Sequence, residues 1–191
     1  MTIFLILAPY GAFASLMLLA SAKASVFAAA AIGLAVIALD FIRGRSLKWL
    51  GAGSAILFAA LGLYLTLIDP SLGNSSVKLS VDTGIFAISL TSMLIGRPFT
   101  LQYAREAVAA ETAAMPGFLR ANYVITAAWT AAALVMMVAN LAMLYVPGLP
   151  LWLGLAIAFA ARNSAVYFTK WYPQYRKAKY GTPPAGAVPS T

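Results

Sequence analysis

The residues of this chain that could do chemistry are few, because it contains no histidine and no cysteine. Their absence excludes disulfides, imidazole or thiolate metal sites, a histidine-ligated haem and catalysis by Ser-His-Asp or Cys-His groups. Five carboxylates remain: Asp40, Asp69, Asp82, Glu106 and Glu111. With so few acidic groups and no metal-binding motif, we expect a protein that is not an enzyme and that holds no cofactor or metal ion.

Arg162 is the most unusual polar residue, because it lies inside an apolar stretch and is followed directly by Asn163. An arginine within a spanning helix is costly unless it is paired or hydrated. Asp40 is the one acidic residue that another apolar stretch brings towards a similar depth, so we expect an Arg162–Asp40 pair. Such a pair would either staple two helices together or belong to a binding or transport site, and the sequence leaves both open.

Asn140 and Asp82 are two further polar residues at the edges of apolar stretches. We interpret Asn140 as a group that bonds between helices, although it could also line a solute path. A carboxylate stabilises the positive end of a helix, so we expect Asp82 to cap a helix that starts near residue 81.

A second polar group lies in the long connection 96–120. Its candidate functional side chains are Arg97, Gln102, Arg105 and Glu106. Thr100 has the side chain of a helix cap and Pro116 is a helix breaker, so the sequence predicts one short helix from about Leu101 onward, lying on the membrane surface. The segment is either a connecting elbow whose charges face water or a polar site that holds an anionic headgroup or a protein partner.

The elements that position these residues follow from composition, since 62% of the chain is hydrophobic and 9% is charged. A soluble domain carries roughly a quarter charged residues, whereas a bilayer accommodates apolar surface of this extent. The pattern predicts an all-α polytopic membrane protein with about six transmembrane helices and one short interfacial helix. The approximate ranges of the six are 3–20, 25–42, 49–68, 81–95, 123–145 and 151–168.

The basic residues indicate how these helices cross the membrane. The net charge is +8, and Lys and Arg concentrate in the connection 43–48, in the connection 97–120 and after residue 169. Since six helices would bring these regions to one face, the positive-inside rule places both termini in the cytoplasm. The alanine-rich composition hints at a bacterial protein, so we expect the membrane to be a bacterial inner (plasma) membrane. Short clusters of this kind do not predict nucleic-acid binding. We expect one transmembrane domain over 1–180 and a disordered cytoplasmic tail over 181–191.

The stretch 96–147 carries a further pattern, in which a basic residue and a proline end one helix and an asparagine precedes a proline near the end of the next. The matching residues are Arg97-Pro98-Phe99 with Gln102, then Asn122, Trp129, Asn140 and Pro147. In this order the stretch resembles the bacterial intracellular septation protein A family of inner membrane-spanning proteins. The resemblance implies a role in envelope maintenance or cell division, exercised through protein partners, and it implies no catalytic residue.

Three functions stay open on this reasoning. The first is a non-enzymatic membrane protein that acts through partners, as an envelope or division factor or an accessory subunit, in contact with membrane lipid and with other membrane proteins or further copies of itself. The alternative is a small oligomeric transporter or channel for a polar or anionic solute, with a polar cavity that reaches mid-membrane. Its path would be lined by Arg162, Asn163, Asn140 and Asp40. The third is a lipid-acting enzyme with Glu106 or Glu111 as general base, which predicts carboxylates that converge near the headgroups.

Overall fold

The computed structural model describes residues 3–180, and in this range the chain is entirely helical. Residues 181–191, for which the sequence predicts a disordered tail, lie outside the described residues. The helices are α1 (Ile3–Leu19), α2 (Ala22–Ile42), α3 (Trp49–Leu67), α4 (Asn74–Leu94), α5 (Phe99–Arg105), α6 (Ala110–Ala113), α7 (Pro116–Tyr145) and α8 (Leu151–Tyr180). The predicted all-α class is therefore confirmed for the described part of the chain.

The long helices pack mainly against their neighbours in sequence. Helix α2 lies between α1 and α3, α3 contacts α4, and α4 packs on α7, which in turn packs on α8. Short connections between long helices make antiparallel neighbours, so the chain folds as a helical bundle built from successive hairpins. The short helix α5 contacts α7, with smaller contacts to α3 and α4.

Four of the described helices are long and apolar enough to cross a membrane, namely α2, α3, α4 and residues Gly117–Tyr145 of α7. The apolar part of α1 is shorter and covers Ala8–Leu19. Helix α8 contains Arg162 and continues into a polar C-terminal half. The exposed surface of the bundle carries many large apolar side chains, among them Ile56, Leu67 and Phe159. These features define an α-helical membrane protein.

The bounds of α4 overturn one prediction. The helix begins at Asn74 rather than near residue 81, after an extended Gly73. Asp82 therefore lies in the interior of the helix, and its interpretation as an N-terminal cap is wrong. The polar residues 74–76 form the first turn of the helix although they lower its hydropathy, because a helix end that faces water tolerates polar side chains.

Helices α2 and α4 end in the same way. Gly44 and Gly96 both adopt a positive φ, 65° and 76°. In each case the glycine amide bonds three residues back, to Phe41 O and Met93 O, and the next amide bonds five residues back, to Asp40 O and Ser92 O. These two hydrogen bonds, together with a residue in the left-handed conformation, form the Schellman motif, and glycine adopts that conformation at no steric cost. At the end of α2 it folds Arg45 back over Asp40.

The connection after α4 differs from the single surface helix that was predicted. It contains two short helices, α5 and α6, and Pro98 rather than Thr100 precedes α5. The Thr100 hydroxyl bonds to Thr126 Oγ1 at 2.7 Å and to the carbonyl of Asn122 at 3.0 Å. Thr100 therefore forms hydrogen bonds with α7 and does not cap its own helix. Pro116 does not end a long helix but opens α7, where a proline has no helical amide bond to lose.

The core lies between α1, α2, α3 and the first half of α4. It is formed by Tyr10, Phe13, Met17, Val26, Ala29, Ala30, Phe58, Leu61, Leu65, Val77 and Val81. Phe58 is fully buried at its centre, and its ring centroid lies 5.6 Å from those of Tyr10 and Phe13. Lipid is as apolar as these side chains, so the cluster stabilises the bundle through close contact rather than through removal from water.

Replacing Phe58 with alanine should lower the free energy of unfolding by about 3–5 kcal/mol, the range for aromatic-to-alanine changes in packed cores. The measurement is SDS-induced unfolding of the purified protein in mild detergent. Ile56→Ala is the matched control, because Ile56 lies in the same helix and is 70% exposed. Equal losses for the two variants would contradict the placement of the core.

Candidate functional site

Two cavities hold most of the buried charge of the bundle, and each is named here after its carboxylate. The Asp40 cavity has a volume of about 50 Å³ and lies where α2 ends and α3 begins, beside Pro9 of α1. The Asp82 cavity has a volume of about 110 Å³ and lies between α1, α4, α7 and α8. Since a water molecule requires roughly 10–15 Å³ of such a cavity, both cavities have room for several waters or a small ion.

A compact ion cluster borders the Asp40 cavity. The ammonium group of Lys48 lies 2.8 Å from Asp40 Oδ2 and 3.2 Å from Glu106 Oε1. The guanidinium group of Arg45 lies 3.7 Å from Asp40 Oδ1 and 4.0 Å from Glu106 Oε2. The Lys48 and Asp40 side chains are only 2% and 8% exposed. Two cations thus face two anions, which offsets the cost of burying each charge.

The local structure explains how these residues meet. Asp40 lies in the last turn of α2, and the turn at Gly44 returns Arg45 towards it. Lys48 directly precedes α3, and Glu106 directly follows α5. Each charge therefore lies at a helix end, where the chain changes direction and long side chains converge.

Gln102 of α5 supports the same junction. Its Oε1 accepts a hydrogen bond from the Trp49 amide at 2.6 Å. Trp49 is the first residue of α3, so its amide has no partner within the helix and needs one from outside. Gln102 is therefore an N-terminal cap for α3, supplied by another helix.

Tyr103 completes the wall of the Asp40 cavity. Lys48 Nζ lies 5.5 Å from the centre of the Tyr103 ring, within the range of a cation–π contact. Burial raises the pKa of the Tyr103 phenol above its ordinary value, with the negative charges of Asp40 and Glu106 adding to the effect. The phenol therefore stays neutral. Asp40 Oδ1 and Arg45 NH1 are buried without a hydrogen-bond partner in the described residues, and a bridging water would satisfy both.

The polar side of the Asp82 cavity combines groups from three helices. Its polar residues are Lys78 and Asp82 of α4, Asn140 of α7 and Arg162 of α8. The amide nitrogen of Asn140 donates to Asp82 Oδ2 at 2.5 Å, across 58 residues of sequence. The opposite walls are apolar and include Phe13, Met136 and Met143. Helix α8 faces the cavity with Gly154, Ala158 and Arg162, which share one helix face at intervals of four.

Charge is not balanced in the Asp82 cavity. The positive charges of Arg162 and Lys78 both act on the single Asp82 carboxylate. Within residues 3–180, however, Arg162 makes no ion pair at 4.0 Å or less. The cavity thus has one positive charge in excess, on a half-buried arginine that faces open space.

The predicted Arg162–Asp40 pair is wrong. Asp40 pairs with Lys48 and Arg45, while Arg162 lies at the cavity that holds Asp82. The prediction matched the two residues by depth alone. Depth along a helix does not determine which helices are neighbours, and α8 packs on α7 rather than on α2.

The other candidate residues divide between several places. Gln102 and Glu106 take part in the junction around Lys48, whereas Arg97 and Arg105 are exposed and join no ion pair in the described part of the chain. Asn140 lines the Asp82 cavity, but Asn163 is exposed and donates to the Phe159 carbonyl of its own helix at 2.8 Å. Of the four residues expected to form a polar site in the connection 96–120, the structure therefore brings only Gln102 and Glu106 together.

Sequence reasoning missed Lys48, Arg45 and Lys78, which it counted only as markers of topology. A signal existed for the first two, since Asp40 is followed five and eight residues later by basic residues. For Asp82 the sequence offers no comparable signal, because its neighbours Ser80, Thr83 and Gly84 are as typical of the start of a helix as of its interior.

The fold and its two charged cavities thus belong to an α-helical membrane protein. Comparison of the chain with family models, with curated proteins and with solved structures finds no match.

Replacing Lys48 with methionine should destabilise the protein by about 3–5 kcal/mol, because it leaves the buried Asp40 carboxylate without its closest cation. The readout is again SDS-induced unfolding of the purified protein. Arg43→Met serves as control, since Arg43 is exposed and has no ion pair in the described structure. The double variant Lys48→Met with Asp40→Leu should recover much of the loss. A loss no larger than that of the control would show that the cluster does not stabilise the fold.

Proposed function

We propose that the chain crosses the membrane six times, with α1 and the first part of α8 as the two further spans. Helix α1 has 17 residues, a length of roughly 25 Å, and the apolar part of α8 is comparable. Lys23, Lys78 and Arg162 apart, every Lys and Arg lies in the connection after α2, in 97–120 or in 170–180. Arg176 of α8 donates to the Gly117 carbonyl at 2.5 Å, which supports a common end for these regions. The positive-inside rule then favours a cytoplasmic location for this basic end. The resemblance of 96–147 to the septation family suggests that the membrane is a bacterial inner membrane.

Thiol labelling tests this topology without background, because the chain has no cysteine of its own. Single cysteines are introduced at Ala20 and Val146 for one face, and at Thr2 and Lys177 for the other, so that Thr2 and Ala20 bracket α1 while Val146 and Lys177 bracket the apolar part of α8. In intact cells a membrane-impermeant maleimide should label Ala20→Cys and Val146→Cys, and should label the other two only after permeabilisation. Labelling of Thr2→Cys and Ala20→Cys from the same side, or of Val146→Cys and Lys177→Cys from the same side, would exclude six spans.

For the activity, we propose that the protein binds a small anionic or polar solute in the Asp82 cavity and passes it across the membrane. The observation that carries the proposal is the placement of Arg162, half-buried beside an open cavity and without an ion pair in the described residues. Charge inside a membrane bundle is expensive, so an incompletely paired arginine that faces a cavity is by default a candidate functional group.

The composition of the cavity supports the solute class. The cavity is lined by two cations, Lys78 and Arg162, and by one carboxylate, Asp82, so it carries one surplus positive charge. Because the apolar walls lower the local dielectric constant, this charge attracts an anion strongly. Asn140 holds Asp82 in place and keeps its carboxylate beside the cations. A volume of about 110 Å³ limits the solute to a small ion or a molecule of few heavy atoms.

Action through protein partners, the first function predicted from the sequence, stays a prediction and is the second candidate beside solute transport. The resemblance of 96–147 to the septation family also stays a prediction. In the structure four residues of that pattern have local roles. Gln102 caps α3 and Asn140 donates to Asp82, while Asn122 donates to the Phe118 carbonyl and Trp129 to Thr169 Oγ1. Gentle detergent extraction followed by size-exclusion chromatography and mass spectrometry separates the hypotheses. A stoichiometric membrane-protein partner would favour the alternative, whereas a homo-oligomer alone would favour solute transport.

The direct test is anion efflux from vesicles that contain the purified protein. Vesicles are loaded with chloride, nitrate or acetate, and release is followed with an ion-selective electrode or by light scattering. Arg162→Ala should slow the efflux of at least one of these anions roughly tenfold or more, because a focused positive potential raises the local anion concentration by that order.

Lys170→Ala is the control for this experiment. It removes one positive charge from the same helix, at an exposed position away from the cavity, and should leave efflux unchanged. If the unmodified protein releases none of the three anions and none of them raises its unfolding temperature, the proposal fails for small anions.

A further inference from the structure

A buried hydrogen bond joins the lining of the Asp40 cavity to the lining of the Asp82 cavity. Tyr10 lines the Asp82 cavity, Ser54 lines the Asp40 cavity, and their hydroxyl groups are hydrogen-bonded to each other. Pro9, the residue before Tyr10, lines the Asp40 cavity. Two consecutive residues of α1 thus line different cavities, so the cavities approach each other at Pro9 and Tyr10.

The two cavities extend towards opposite ends of the bundle. The Asp40 cavity is lined by Asp40, Arg45 and Lys48, at the basic end. The Asp82 cavity is lined by Leu18 near the end of α1, Ser75 near the start of α4 and Gly154 near the start of α8. A line from one to the other therefore passes through the bundle along its long axis, and Tyr10 and Ser54 lie at the crossing point.

The surroundings of this contact are dry and tightly packed. Tyr10 and Ser54 are 5% and 2% exposed, and Phe58 is fully buried beside them. Phe13 and Tyr10 both pack their rings against Phe58. In this arrangement the aromatic rings block a passage between the two cavities, and the hydrogen bond to Ser54 fixes the position of the Tyr10 ring.

We propose that Tyr10 and Ser54 form the closed gate of a path that joins the two cavities. This inference rests on the proposed transport function and adds its route and its control point. Opening requires the Tyr10 ring to swing away from Ser54, so that the Asp82 cavity becomes continuous with the Asp40 cavity and its ion cluster.

Two features make this movement feasible. Ser54 Oγ also donates to the Leu50 carbonyl at 2.5 Å, so it keeps a partner when Tyr10 leaves. Tyr10 is then the donor in the gate, and its hydroxyl can exchange Ser54 for water that enters the path. Pro9 lies inside α1, where it lacks the amide for a helical bond and so weakens the backbone next to Tyr10.

Single-cysteine accessibility tests the gate independently of any solute. Val36→Cys places a thiol in the Asp40 cavity, and a small, charged, membrane-impermeant methanethiosulfonate reagent is applied to oriented vesicles from the side of the Asp82 cavity. With the native gate the thiol should stay unmodified from that side. Tyr10→Ala should accelerate its modification at least about tenfold, because both the hydrogen bond and the blocking ring are lost.

Tyr64→Ala is the matched control, since Tyr64 also belongs to the helical bundle but is 39% exposed on α3 and lines neither cavity. It should leave the rate unchanged. Where Tyr10→Ala does not yield folded protein, Ser54→Ala removes the same hydrogen bond with a smaller change in volume.

Modification of Val36→Cys from the far side in the native background, or no acceleration in folded Tyr10→Ala or Ser54→Ala protein, would overturn the gate. The readout is a thiol reaction rather than anion efflux. If the protein releases no anion but Tyr10→Ala accelerates the thiol modification, the proposed solute is refuted and the gate is retained. If the protein releases an anion but Tyr10→Ala causes no acceleration, the gate is refuted and the proposed solute is retained.

Discussion

A buried charge in an apolar bundle needs an opposite charge, and the contact of Lys48 with Asp40 and Glu106 meets this requirement at the junction of three helices. Because the side chain of Lys48 is almost fully buried, it cannot turn to water if a partner leaves. Helices α2, α3 and α5 are consequently held in one relative position. Gln102 reinforces the junction from α5, since it supplies the missing acceptor for the first amide of α3.

The Asp82 cavity is under the same constraint but meets it incompletely. Asp82 is bonded to Asn140, while Arg162 stays beyond ion-pair distance from any carboxylate of the described residues. The first arrangement, around Lys48, is closed and neutral and is suited to holding helices. The second is open and carries surplus charge, and it is suited to receiving a mobile ion. The contrast between a cluster with balanced charge and a cavity with surplus charge in one bundle is the main reason to look for solute binding at Arg162 rather than at Glu106.

Sequence reasoning identified several of the important residues but not their partners. Arg162, Asp40 and Asn140 were selected because a charge or amide in or near an apolar stretch is expensive, and Glu106 was selected as part of the polar group in the connection 96–120. All four line a cavity or join the ion cluster. The Arg162–Asp40 pair was wrong, since depth in the membrane says nothing about which helices are adjacent. Asp82 was misplaced because the polar start of α4 hid seven residues of helix from a reading based on hydropathy.

The sequence by itself determined the class of protein, since an apolar content of 62% with short basic clusters leaves a helical membrane bundle as the physical solution. It also determined where two helices end, because Gly44 and Gly96 permit a left-handed turn that other residues rarely adopt. Only the tertiary structure decided that Lys48 serves two carboxylates, that Asp82 and Arg162 share a cavity, and that Tyr10 meets Ser54 between the two cavities. Apart from the Lys48–Asp40 pair, which is eight residues apart, these contacts join residues 44 to 80 positions apart in sequence. They depend on the rotation of whole helices about their axes, and no local pattern encodes that rotation.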